Sequence, residues 1–99
     1  MGGRRVVVSD LLDAGLIEPD TPLTWTRPRI GQTYNARVLS TGDIRLEDGR
    51  TYSSPSRAAK EAAGIVAYHG WVAWTVPDGR TLLDLRSELL EQQDHKSKN

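Results

Sequence analysis

Hydrophobic and polar positions change period several times along this chain, and each change marks an element. Ser9 precedes Asp10-Leu11-Leu12-Asp13-Ala14 and then Gly15, the order of an N-cap, a short helix and a glycine stop. Leu16-Ile17 is expected to dock after that stop, and Glu18-Pro19-Asp20-Thr21-Pro22 reads as a polar corner with two prolines. Leu23 and Trp25 then alternate with Thr24 and Thr26, which predicts a half-buried strand with Trp25 in the core. Beyond a loop from Arg27 to Gly31, Tyr34, Ala36 and Val38 alternate with Thr33, Asn35 and Arg37. Thr41-Gly42-Asp43 turns this strand into Ile44-Arg45-Leu46, and Asp48-Gly49 turns that one into Arg50-Thr51-Tyr52, so the middle of the chain is an antiparallel meander.

The period then lengthens. Ser53-Ser54-Pro55-Ser56 leads into Arg57-Ala58-Ala59-Lys60-Glu61-Ala62-Ala63-Gly64, with serine as cap, proline in the first turn and glycine past the end. Ala58, Ala59, Ala62 and Ala63 form the expected buried stripe, with Ser56, Arg57 and Lys60 on the outer side. Trp71-Val72-Ala73-Trp74-Thr75-Val76 reads as a further strand, ended by Pro77-Asp78-Gly79. That assignment places Val72, Trp74 and Val76 on one face and Trp71, Ala73 and Thr75 on the other. Thr81-Leu82-Leu83-Asp84 resembles a capping box, with Asp in place of Glu, opening a last helix. Its apolar residues, Leu82, Leu83, Leu85, Leu89 and Leu90, extend to about Gln92. No repeat, low-complexity segment or internal linker is found. The expected class is α+β, a small antiparallel sheet packed by about three helices in a single domain at 8–92, with a flexible N-terminus at 1–7 and a disordered tail at 93–99.

Composition narrows the function. The chain has 99 residues and no cysteine, so it holds one core and has neither a disulfide framework nor a thiol nucleophile. Its apolar runs are too short for a membrane span or signal peptide, and the expected location is cytoplasmic. Thirteen basic residues balance thirteen acidic ones, which argues against a polybasic nucleic-acid binder. Charge is unevenly placed, however. Between Leu23 and Arg80 stand eight cations and five anions, and seven of the cations are arginines, a bias that GC-rich coding also produces.

Candidate chemistry is sparse. The two histidines, His69 and His95, make a poor metal set, no nucleophile elbow or phosphate-binding glycine loop is present, and catalytic, metal and cofactor sites are all expected to be absent. Two groups stand out: Ser53-Ser54-Pro55-Ser56-Arg57-x-x-Lys60 at a helix start, and His69-Gly70-Trp71-x-x-Trp74. The serines can serve as caps alone, or add hydroxyls to a cationic helix start suited to phosphate. Trp71 can pack beneath the last helix or present its ring to a base. His69 is most simply a polar turn residue and Gly70 a backbone-permissive one.

The series Ser9-Asp-Leu-Leu-Asp-Ala-Gly-Leu-Ile, Ile44-Arg-Leu-Glu-Asp-Gly, Tyr52-Ser-Ser-Pro-Ser-x-Ala-Ala, Gly70-Trp-x-x-Trp and Thr81-Leu-x-x-Leu-Arg resembles the RAMA domain, the restriction-enzyme and adenine-methylase-associated module. The resemblance runs from about Val8 to Leu90. It implies a DNA-binding module of the kind fused to restriction nucleases, found in deubiquitinase-like proteins and similar to the C-terminal domain of some adenine methyltransferases, often reading adenine-methylated DNA. The motif serines then fall on Ser53, Ser54 and Ser56, the glycine on Gly70 and the tryptophans on Trp71 and Trp74. His69 stands where the family commonly has asparagine. An amide offers an adenine edge a donor and an acceptor, whereas a neutral imidazole offers one of each from a differently shaped ring, so the departure bears on base selectivity. One buried methyl is worth about 0.8 kcal/mol, roughly fourfold in affinity, so any methyl preference would be modest.

The resulting expectation is a non-enzymatic module that binds double-stranded DNA weakly and reads modified DNA, including N6-methyladenine, in a restriction or modification context. Ser53, Ser54, Ser56, Arg57, Lys60, His69, Gly70 and Trp71 form its expected site, with Trp74 as core support. A nuclease or methyltransferase is the expected protein partner, and the chain is expected to be a monomer or weak dimer. The alternative is a protein-interaction module that uses an exposed Trp71 face.

Overall fold

The computed structural model describes residues 6–66 and 68–97, with side chains to residue 92. Positions 1–5 of the expected flexible N-terminus and 98–99 of the expected tail lie outside the described residues. The elements run α1 (Val8–Asp13), β1 (Pro22–Arg27), β2 (Gln32–Val38), β3 (Ile44–Leu46), β4 (Thr51–Tyr52), α2 (Pro55–Ala63), α3 (Gly70–Ala73) and α4 (Leu82–Ser97). The sheet is an antiparallel meander in the order β1-β2-β3-β4, so the class is α+β. Among the described residues no helix is long and apolar enough to cross a membrane.

Alternation settles which face of the sheet is covered. Leu23 and Trp25 of β1, Ala36 and Val38 of β2, and Ile44 and Leu46 of β3 are buried, while Thr24, Thr26, Asn35, Arg37 and Arg45 between them are exposed. Val8 and Leu11 of α1, Ala58 and Ala59 of α2, and Leu82, Leu85 and Leu89 of α4 close over the apolar face. Alanines let α2 approach closely, and no polar or charged described residue is buried. The α4 backbone continues to Ser97, past the Gln92 limit of its apolar stripe.

Caps define the helices. Ser9 is not the cap of α1, contrary to the sequence pattern: Val7 is, and Asp10 Oδ2 accepts its N–H at 2.8 Å. Ser9 instead packs against Gly42, where an added Cβ would lie 2.8 Å from the Ser9 Cβ. Gly15 ends α1 as expected, donating to Leu12 O while Leu16 donates to Leu11 O, the paired bonds of a Schellman stop. In α4, Asp84 accepts from Thr81 N–H and Thr81 Oγ1 accepts from Asp84 N–H, so aspartate completes the capping box.

Residues 71–76 are not a strand. Val72 and Ala73 donate to His69 O and Trp74 to Gly70 O, which winds Gly70–Ala73 into one helical turn. Within this segment only Thr75 forms β-bridges, to Thr24 on one side and Thr81 on the other. Trp71 and Ala73 therefore do not share a strand face, and Val72 is exposed while Trp74 is fully buried.

A short repeat also emerges. Asp-Gly-Arg-Thr occurs at 48–51 and again at 78–81, and the two copies build the same turn. In each, the arginine carbonyl accepts from Leu46 or Val76 at 2.8 Å, and the arginine N–H donates to the aspartate Oδ1 at 3.0 Å. The arginine Nε bonds Oδ2 at 2.7 Å in the first copy and 2.9 Å in the second, and the glycines sit at φ 95° and 98°. Four residues are too few to stand out as a repeat without the shared geometry. At such φ a Cβ costs about 1–2 kcal/mol, so Gly79→Ala is expected to lower stability by that amount in a denaturant melt.

Arg80's guanidinium, then its N–H, hold the Asp78 carboxyl below its ordinary 3.8, and Arg50's N–H and then its guanidinium do the same for Asp48. A lowered folded-state pKa gives stability that is present above the ordinary value and is lost as pH falls through the lowered one. The Tm deficit of Asp78→Asn relative to wild type is accordingly expected at neutral pH and should shrink as the solution is acidified below about pH 4.

Candidate nucleic-acid interface at the α2–α3 junction

Two sequence groups meet where α3 abuts the start of α2. Ser54 caps α2, its Oγ accepting the Arg57 N–H at 3.3 Å, and Pro55 occupies the first turn without needing a donor partner. Gly70 is pressed onto this start. A Cβ on Gly70 would overlap the Pro55 carbonyl carbon and oxygen and Ser56 N, all of them backbone atoms. The Gly70 N–H donates to Ser56 Oγ at 3.0 Å, and Trp74 Nε1 donates to Pro55 O at 3.1 Å in a buried bond. Ser56, expected on the outer side of α2, is half-buried and bonded inward.

These contacts sort the expected site residues. Ser56, Gly70 and Trp74 lock α3 to α2. Ser53, Ser54, Arg57, Lys60 and His69 remain exposed around that lock. Trp71 is half-buried against the core, and Arg86 of α4 lies over its ring at 4.7 Å, so it does not present the exposed face that the interaction-module reading assumed. With the Arg57 N–H taken by Ser54 and Gly70 packed on Ser56 N, the start of α2 offers side chains more than backbone donors.

Charge is partly neutralised. Arg50 and Arg80 are held by the aspartates of their own turns. Arg57 Nε is 3.9 Å from Glu61, its guanidinium is 5.7 Å from the Tyr52 ring centre, and Arg50 approaches the same ring at 6.0 Å. Among the described residues Lys60 has no acidic partner within ion-pair distance. The sequence reading missed Tyr52, which the two arginines approach, and Arg86, which lies over Trp71. Tyr52 was signalled only by its place directly before Ser53, and Arg86 by nothing local, since α4 is brought to α3 by the tertiary fold.

The family model for RAMA, Restriction Enzyme Adenine Methylase Associated, matches residues 1–95. The chain belongs to the RAMA family. The family's association with restriction enzymes and adenine methylases is consistent with a restriction and modification context for this RAMA domain. No curated protein matches the chain. The interlock gives the motif pieces of this RAMA domain a physical meaning: the serine, glycine and second tryptophan of Ser-Ser-Pro-Ser and Gly-Trp-x-x-Trp are spaced so that two helix ends can touch.

Gly70→Ala is therefore expected to cost about 3 kcal/mol or more, because a Cβ would overlap backbone that cannot rotate away. Ser56→Ala should cost about 1 kcal/mol by leaving the Gly70 N–H without its acceptor. Chemical denaturation that ranks the alanine variant at 70 above that at 56 would support the interlock; equal, small effects would contradict it.

Proposed function

We propose that this RAMA domain is a binding module for double-stranded DNA that uses the exposed rim of the α2–α3 junction, and that its finer role is to read modified adenine. The observation carrying this reading is the division within the motif, in which the inward members are committed to packing while Ser53, Ser54, Arg57, Lys60 and His69 are left at the surface. Hydroxyls and cations beside a helix start suit phosphate oxygens, and the neighbouring imidazole can approach a base edge. Arg57 and Lys60 lie one helical turn apart at most, so they can contact successive phosphates of one strand. A nuclease or methyltransferase partner would supply the effector in the family's restriction and modification setting.

Few phosphate contacts set a weak, shallow salt dependence. With about two or three neutralised phosphates, log K against log salt should have a slope of about −2 to −3. Arg57→Gln and Lys60→Gln should each reduce that slope by about one, with little change in melting temperature. Ser53→Ala is a cleaner hydroxyl probe than Ser54→Ala, which also removes the α2 cap. Unchanged affinity and slope in both charge variants would defeat the proposed interface. Duplexes with and without N6-methyladenine, compared at one salt concentration, test the finer role.

A further inference from the structure

A second feature lies on the other side of α3. Trp25, Thr26, Tyr68, Val72, Thr75 and Pro77 border a groove of about 510 Å³ between the free edge of β1 and α3. Trp25 itself is 4% exposed, with Tyr34 at 5.1 Å and Tyr68 at 4.7 Å between ring centres. Tyr68 is 42% exposed and Val72 46%, so the groove has an accessible aromatic ring and an apolar wall that no described element covers.

The groove also has a polar edge. Thr24 exchanges both backbone bonds with Thr75 at 2.9 Å, which shows that its N–H and C=O point away from β2. Backbone direction in a strand repeats every two residues, so the N–H and C=O of Thr26 point the same way. Among the described residues nothing pairs with them, because the Thr75 bridge ends at Thr24 and the chain turns into a one-turn 3-10 helix at Pro28–Ile30. Arg27, beside Thr26, holds its guanidinium 5.5 Å from the centre of the Trp25 ring.

We infer that this groove accepts a single unpaired nucleobase, held at its edge by the Thr26 N–H and C=O and at its face by Tyr68. An added peptide strand would need several residues of open edge, and β1 offers one. A nucleobase needs only one adjacent donor and acceptor plus a ring to stack on, and the volume falls within the range of small-molecule sites. Tyr68 and His69 are consecutive, so a base displaced from a duplex lying along the α2–α3 rim would meet the groove across one residue. The inference deepens the DNA-binding reading and rests on it for the source of the base. A free nucleotide carries the same chemistry, and the two sources are separable.

The test uses the full chain, isotope-labelled, titrated with deoxyadenosine 5′-monophosphate and, separately, with a fully paired duplex and the same duplex carrying one unpaired adenine. Amide shifts at Thr26, Tyr68, Val72 and Thr75 are expected with the mononucleotide, and the bulged duplex should bind more tightly than the paired one because its base is already unstacked. Tyr68→Ala should weaken the mononucleotide about tenfold and erase the bulge preference. Thr26→Pro, which removes an N–H that faces away from β2, should do the same while preserving the fold. Mononucleotide shifts without duplex binding would keep the pocket and defeat the DNA reading. Duplex binding without mononucleotide shifts, or with a bulge preference that survives both variants, would overturn the pocket alone.

Discussion

The architecture turns on the contact between Gly70 and the Pro55–Ser56 peptide. Two backbones meet there with no room for a side chain between them, and the approach is held by Ser56 Oγ on the Gly70 N–H and by the Trp74 indole on the Pro55 carbonyl. Close approach supplies little energy by itself, but it sets where Trp74 lies. That indole is fully buried and stands edge-on to Trp25 at 5.9 Å, so the junction is tied to the sheet through one aromatic pair.

The same contact explains how a small domain can keep an exposed polar rim beside a packed junction. The polar groups of the lock satisfy one another, which lets the neighbouring hydroxyls and cations stay in water without leaving buried donors behind. Among the described residues no buried side-chain nitrogen or oxygen lacks a partner. The start of α2 is thereby held rigidly while Ser53, Arg57, Lys60 and His69 remain accessible, the arrangement a recognition surface requires. On its far side α3 faces the β1 groove, so one helical turn separates the proposed phosphate-facing rim from the proposed base pocket.

The paired Asp-Gly-Arg-Thr turns serve the fold more than the surface. Each closes a tight reversal through a glycine at positive φ and returns its arginine onto its own aspartate. This removes Arg50 and Arg80 from the pool of uncompensated cations in the middle of the chain. A regional excess of positive charge is therefore a poor measure of the charge offered to a ligand when local turns consume part of it.

Short-range information was legible in the sequence. Alternation in β1, β2 and β3, the two Asp-Gly turns, the serine cap and alanine stripe of α2 and the capping box of α4 depend on residues within a few positions of one another, and so does the resemblance that placed the chain in its family. Two features escaped that logic. Trp71 to Val76 alternates like a strand, yet its first residues wind into a helical turn on the carbonyls of His69 and Gly70, docked through the Gly70 N–H on Ser56, fourteen residues earlier, and through the tight contact with Pro55. Ser9 looks like a cap, but Val8 is more favourably buried one position earlier in the turn and Asp10 can reach back to Val7. The exposure of the candidate site residues was likewise decided by tertiary structure: whether Ser56 faces water or Gly70, and whether Trp71 is open or lies beneath Arg86, depends on partners that no local spacing specifies. Sequence determined the elements whose periodicity is local, and only the fold determined the turn at Gly70–Ala73 and which motif residues pack or remain free, because those choices are made by contacts between segments distant along the chain.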